Sequence, residues 1–226
     1  MKEKVKILLF KLGIYNTARS IIKKIYYPYK NYRIRSKASI ILKKMYKVFE
    51  EHTEDYWLDY GTLLGYVREG KIIKGDLDLD FGVFCDKSLA DYLKDEDIYL
   101  KEQTIVEGII AAEQYYYEDI GFDVFYYRES KNNTMVTNVW LALDYSIPQK
   151  QIYEQQKGEL GETIFTKIET KKIKFYNVDF KVPLNSDKYL KEHFGNDYMT
   201  PNPNFSHEDE INRKKIDKEF KVIFYE

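Results

Sequence analysis

Residues 56–83 read YWLDYGTLLGYVREGKIIKGDLDLDFGV. A β-prone start (Tyr56 to Leu58), a helix that begins at Gly61 and runs to about Arg68, a turn at Gly70 and a second β-prone run give strand, helix and strand in quick succession. The second run carries Asp76, Asp78 and Asp80 at alternate positions, with Leu77 and Leu79 between them. On an extended strand the three carboxylates leave one face, roughly 7 Å from one to the next. The stretch therefore predicts a strand that gathers negative charge, and an α/β chain built around it.

Three readings compete for these acids. An exposed sheet edge carries charges that discourage aggregation. A calcium loop of the EF-hand type needs Gly sixth and Glu twelfth, where this chain has Phe81 and Lys87. A two-metal phosphoryl-transfer site needs carboxylates on one strand face and a further acid from a neighbouring strand, holding Mg²⁺ ions about 4 Å apart. Such an acid is present: Asp123, between Phe122 and Val124 in GFDVFYY (121–127). Gly61 and Thr62 at a helix start offer N–H groups to phosphate oxygens, and Arg68 two turns on offers a bidentate contact. The order Gly-Thr, then alternating acids, then a lone strand acid is more specific than any one part.

The rest of the chain bounds these readings. Its 226 residues, 44% hydrophobic and 32% charged with five prolines, suit a globular protein with a sizeable core. The single cysteine, Cys85, and three scattered histidines (His52, His193, His207) offer no zinc cluster, so any metal is expected on oxygen ligands. One cysteine also fits a reducing, cytoplasmic setting. Residues 1–47 hold 14 Lys and Arg against one acid, whereas the remainder is strongly acidic.

The basic front end reads as a helix with Val5, Leu8, Leu9 and Leu12 on one face. Its longest apolar run, Ile7 to Phe10, is too short to span a bilayer, so it is expected either to lie on an anionic membrane surface or to pack on the domain. Nucleic acid is not expected as a partner, because the body is acidic and lacks a binding motif. The chain is accordingly divided into a basic amphipathic helical segment over 1–35 and a catalytic domain over 36–226. Within the latter, a helix capped by Ser36 should run to about His52. Further strands are expected near 98–101, 108–116, 122–127, 135–143, 163–168 and 173–182, the last broken at Asn177, with a helix over SDKYLKEHF (186–194) and a charged C-terminal helix. Tyr115, Tyr116, Tyr117 and Trp140 fit the core better than a stacking role.

The order of motifs resembles the nucleotidyltransferase superfamily, and WLDYGTLLGYVREGKIIKGDLDLDFGV (57–83) is similar to the signature segment of its LicD and fukutin branch. FDVFYYRES (122–130) resembles that family's second acidic strand, and VPLNSDKYLKEHFGNDYMTP (182–201) its closing motif. Members commonly carry Pro-Trp where this chain has Lys74-Gly75, which puts a cation near the acids.

The resemblance implies a nucleotidyltransferase-like mixed β-sheet flanked by helices. The implied reaction is transfer of a substituted phosphate, such as phosphocholine, phosphoethanolamine or a polyol phosphate, from a CDP-type donor to a sugar hydroxyl of a surface glycan or its lipid-linked precursor. On that reading Asp78, Asp80 and Asp123 are catalytic and, with Asp76, hold Mg²⁺ or Mn²⁺. Gly61, Thr62, Arg68 and Lys74 receive phosphate oxygens, and Asp123 takes the hydroxyl proton. The implied location is cytoplasmic, at the inner face of the cell membrane. Transfer of the nucleotide itself, or a non-catalytic nucleotide- or glycan-binding module, are the alternatives.

Overall fold

The computed structural model describes residues 3–142, 148–154, 158–202, 205–206 and 209–225. It has helices around a large, curled, mostly antiparallel sheet, a mixed α/β arrangement. The opening stretch folds as β1 (Asp55–Leu58), α3 (Tyr60–Glu69) and β2 (Asp80–Phe84). Asp59 caps α3 by accepting from the Tyr60 N–H, and Gly70 closes it. Gly65 inside α3 is fixed by close approach: a Cβ there would stand 2.6 Å from the Lys71 carbonyl. The return of the chain against the helix depends on it.

β2 pairs antiparallel with β1 and parallel with β5 (Ile120–Ser130). The first half of β5 also pairs with β4 (Ile109–Tyr117), which continues to β3 (Tyr99–Val106). Its last residues pair with β6 (Thr134–Ala142), which leads to β7 (Gly158–Thr166). β5 thus joins the two wings of the sheet. A separate hairpin, β8 (Thr170–Phe175) and β9 (Val178–Pro183), turns at Tyr176-Asn177, both at positive φ as a two-residue hairpin requires. The break expected at Asn177 is this turn.

The core lies between the sheet and the second half of α2 (Tyr15–His52), which buries Ile34, Ala38, Ile41, Leu42, Met45 and Phe49 completely. Phe49 meets Tyr56, Phe81 and Phe180 at ring-centroid distances of 5.4, 5.7 and 6.2 Å. At about 1.5–3 kcal/mol for each large apolar side chain taken from water, this helix is a main source of stability. Ahead of it, α1 (Glu3–Lys11) folds back through Gly13. The short helices α4 (Ala90–Lys94) and α5 (Gln149–Glu154) and the closing helix α6 (Ser186–Phe194) complete the helical set, α6 capped by the Asn185 side chain accepting from the Lys188 N–H.

Several expectations are corrected. Asp76 and Asp78 lie on an irregular approach, and only Asp80 belongs to the strand, because the parallel ladder starts where Asp80 meets Asp123. The helix placed at Ser36 begins at Tyr15 and runs through Pro28, with the Ser36 hydroxyl donating to the Arg33 carbonyl inside it. In place of a charged C-terminal helix come β10 (Arg213–Ile216) and β11 (Phe220–Phe224), recruited as edges by β7 and β3. Helix α5 has no counterpart in the sequence reading, and the expected strand end at Leu143 lies outside the described residues.

Candidate active site

Asp80 opens β2 directly opposite Asp123 on β5. The pairing is anchored one step earlier, where the Asp123 N–H donates to the Leu79 carbonyl at 2.8 Å. Asp80 is held from the helix side as well: its N–H donates to Thr62 Oγ1 at 2.8 Å, and its Oδ2 accepts from the Thr62 N–H at 3.3 Å. Beside Thr62, a Cβ on Gly61 would stand 3.1 Å from Asp76 Oδ2 and 3.2 Å from Asp80 Oδ2. Glycine there lets the helix start press against both carboxyls. The approach carrying Asp76 is braced from α2, where Asn31 Nδ2 donates to the Ile73 and Asp76 carbonyls at 3.2 and 2.7 Å. On the far side Gln114, Asp123's partner on β4, donates to Asp123 Oδ1 at 2.9 Å.

The carboxyls of Asp76, Asp78, Asp80 and Asp123 therefore face one another across a cavity of about 720 Å³. Among the described residues none of the four is in an ion pair with a lysine or arginine; Lys30 acts on Asp76, and Lys101 and Lys30 on Asp123, only as nearby charges. Burial, and after it the nearby Asp78 charge, raises Asp76 to about 7 and Asp123 to about 6. The same two causes hold Asp80 well above the ordinary carboxyl range. The closeness of the Asp78 carboxyl to that of Asp76 adds to the rise. The far wall of the cavity includes Trp140, Phe205, His193 and Arg213, and Lys74 stands exposed at its rim.

Two of the expected phosphate contacts have protein partners. Thr62 is fully buried, and both its N–H and its hydroxyl are directed to Asp80, so it positions an acid. Arg68 donates to the Tyr198 and Thr200 carbonyls and does not line the cavity; it pins the Met-Thr-Pro stretch to α3. Gly61 and Lys74 do line it. Trp140 is a cavity wall, whereas Tyr115 is core.

The sequence reading passed over two residues near the acids. Gln114 had no local signal, since it acts only through β4–β5 pairing. Asp59 could have been found as the polar residue just before a Gly-Thr helix start. It is fully buried and accepts from the Tyr127 and Tyr189 hydroxyls at 2.8 and 2.7 Å, with its carboxyl raised to about 6 by burial.

The donor set is all oxygen and anionic, which suits a hard divalent cation. No three acid, histidine or cysteine side chains among the described residues already surround one point in ligand geometry, so a cation would draw these carboxyls inward. Burial first and like charge second hold these carboxyls up, and a cation would offset both.

Comparison with known families matches the model described as LicD/FKTN/FKRP, nucleotidyltransferase domain, over residues 53–185. That span is more than half of the chain and contains all four acids. The chain belongs to the LicD/FKTN/FKRP family. Members of this family generally transfer phosphorylated groups. An uncharacterized protein of Rickettsia prowazekii (strain Madrid E) is 27% identical over 150 residues, 62% of this chain and 52% of that protein. The LicD/FKTN/FKRP chain described here thus spans about half the length of that relative.

Proposed function

We propose that the chain is a metal-dependent transferase that moves a substituted phosphate from a CDP-activated donor to a sugar hydroxyl of a surface glycan or its lipid-linked precursor. The observation that supports it is the register of Asp80 opposite Asp123, with Asp76 and Asp78 beside them, all opening on one cavity. Asp78, Asp80 and Asp123, joined by Asp76, would hold Mg²⁺ or Mn²⁺, which when bound neutralises charge on the donor pyrophosphate. Gly61 keeps the helix start against the carboxyls, and Thr62 fixes the backbone and one oxygen of Asp80. Asp123, with one oxygen held by Gln114, takes the proton of the attacking hydroxyl. Lys74 at the rim offers a charge to donor phosphates.

Asp78→Asn and Asp80→Asn should each lower turnover on the order of 10³-fold while the protein still melts cooperatively, because several kcal/mol of charge stabilisation is lost. Full activity in either variant would remove the scheme. The donor is found by a thermal-shift panel of CDP-choline, CDP-ethanolamine, CDP-ribitol and CDP-glycerol with Mg²⁺, since a ligand of the native state raises Tm. Release of free nucleoside monophosphate supports the proposal; a labelled nucleobase on the acceptor overturns it in favour of nucleotidyl transfer.

A further inference from the structure

Nine of the seventeen large hydrophobic side chains exposed among the described residues lie between Val5 and Ile40, in about a sixth of the chain. On α2 they are ordered. At about 100° per residue, Ile14 at the helix start and Ile21, Ile25, Tyr29 and Tyr32 fall within an arc of about 80°. Ile25 is 73% exposed, Tyr32 68% and Ile21 55%. The core face of the same helix, Ile34 to Met45, is turned about 150° from that arc. The stripe is therefore not a continuation of the core face, and no described element covers it.

We infer that this stripe is a docking face for an anionic lipid bilayer, with α2 lying in the plane of the interface. Charge complementarity selects that occupant: the first 47 residues carry 14 basic side chains against one acid, of which Arg33, Lys37, Lys44 and Lys47 pair with acids of the body, while Lys24 and Arg35 border the stripe. Isoleucines suit the acyl boundary, and the two tyrosines suit the headgroup level, where an apolar ring and a hydroxyl meet water. No described helix is long and apolar enough to cross a membrane, so the contact is a surface one.

The geometry gives docking a consequence at the cavity. Asn31, next to Tyr32, braces the approach that carries Asp76, and Lys30 lies close enough for its charge to act on Asp76 and Asp123. Arg33 and Lys37 grip Glu118 and Asp119 at the turn that leads into β5. A docked α2 would hold the acid-lined cavity beside the lipid surface, where a lipid-linked acceptor is presented.

The test is co-sedimentation of the full chain with vesicles of phosphatidylcholine and phosphatidylglycerol in a two-to-one mixture, against phosphatidylcholine alone. The wild type should bind the anionic vesicles, more weakly at high salt, and Ile21→Glu/Ile25→Glu should weaken binding at least about tenfold. Lys24→Glu/Arg35→Glu, which leaves the apolar side chains in place, should weaken it as well, and both variants should melt as the wild type does. Absence of wild-type binding, or unchanged binding in both variants, overturns the inference. So does a dimer in solution that the isoleucine variant dissociates, because a second copy would then be the occupant. Vesicle binding is read without turnover, so either outcome leaves the transferase proposal to be judged by its own test.

Discussion

The molecule holds buried carboxyls in two ways. Glu113, 1% exposed on β4, is fully served: Oε1 accepts from the Ser88 hydroxyl and the Gln103 amide, both at 2.6 Å, and Oε2 from the Tyr115 and Tyr126 hydroxyls. Asp76, Asp78, Asp80 and Asp123 receive few donors and face one another instead. The first arrangement is what a folded chain does with a buried charge left to itself. The second leaves like charge crowded in the same cavity that Glu113 lines, and that difference separates an acid built to hold strands together from acids open to a ligand.

The sharpest way to break the contrast is to remove the satisfied acid. Glu113→Ala leaves four donors without an acceptor and should cost about 3–5 kcal/mol, read by urea unfolding. A loss under about 1 kcal/mol would mean that the network does not hold the strands.

Removing an unsatisfied acid should act in the opposite direction. Below its ordinary value near 3.8 Asp76 is protonated folded or unfolded and contributes nothing; as pH rises, the unfolded chain ionises first and the native state is penalised until pH passes about 7. At about 1.4 kcal/mol for each pH unit by which the value is raised, the cost is on the order of 4 kcal/mol for Asp76 alone. Without divalent cation the wild type should therefore lose stability between about pH 4 and 7 as Asp76 and Asp123 ionise in the folded chain, and Asp76→Asn should flatten that slope and gain about 2 kcal/mol at pH 8, less than the full cost because the buried amide is itself desolvated. A variant whose stability still falls as steeply would place the penalty elsewhere.

The smallest effect on stability is expected at Gly61→Ala. Alanine favours a helix by up to about 1 kcal/mol, but its methyl must displace Asp76 or Asp80 by a few tenths of an ångström. The two effects nearly cancel in Tm, while turnover should fall at least tenfold, as about 1.4 kcal/mol of lost transition-state positioning would give. Unchanged turnover would show that the carboxyls tolerate movement.

How much of this was legible follows from the range of each interaction. The segment from Tyr56 to Phe84 folds largely by local rules, capping at Asp59 and a close turn at Gly65, so its strand, helix and strand could be read in order. Asp123 was legible because an acid amid Phe122 and Val124 conflicts with its surroundings. Alternation alone misplaced Asp76 and Asp78, since a strand needs a ladder partner and β5 offers one only from Asp123 onward. The C-terminal strands were misread for a related reason: basic β10 and largely apolar β11 are edges whose partners lie far earlier in the chain. The phosphate reading of Thr62 and Arg68 rests on a helix start and a guanidinium two turns on, both local features, whereas the bonds that tie one to Asp80 and the other to the carbonyls of Tyr198 and Thr200 are tertiary and leave no local signal.

The pairing of β2 with β5 also bears on the order of events in folding. It is the parallel pair among the described strands, and it closes a long stretch of chain, whereas β3, β4 and β5 meet through short turns. Local hairpins form early and distant parallel pairs late, because loop closure must precede their contacts. Asp80 and Asp123 should thus stay apart in water while the β3–β4–β5 meander assembles, with their repulsion arising at the closing step. The gain in Asp76→Asn should accordingly appear as slower unfolding, with little change in the rate of folding.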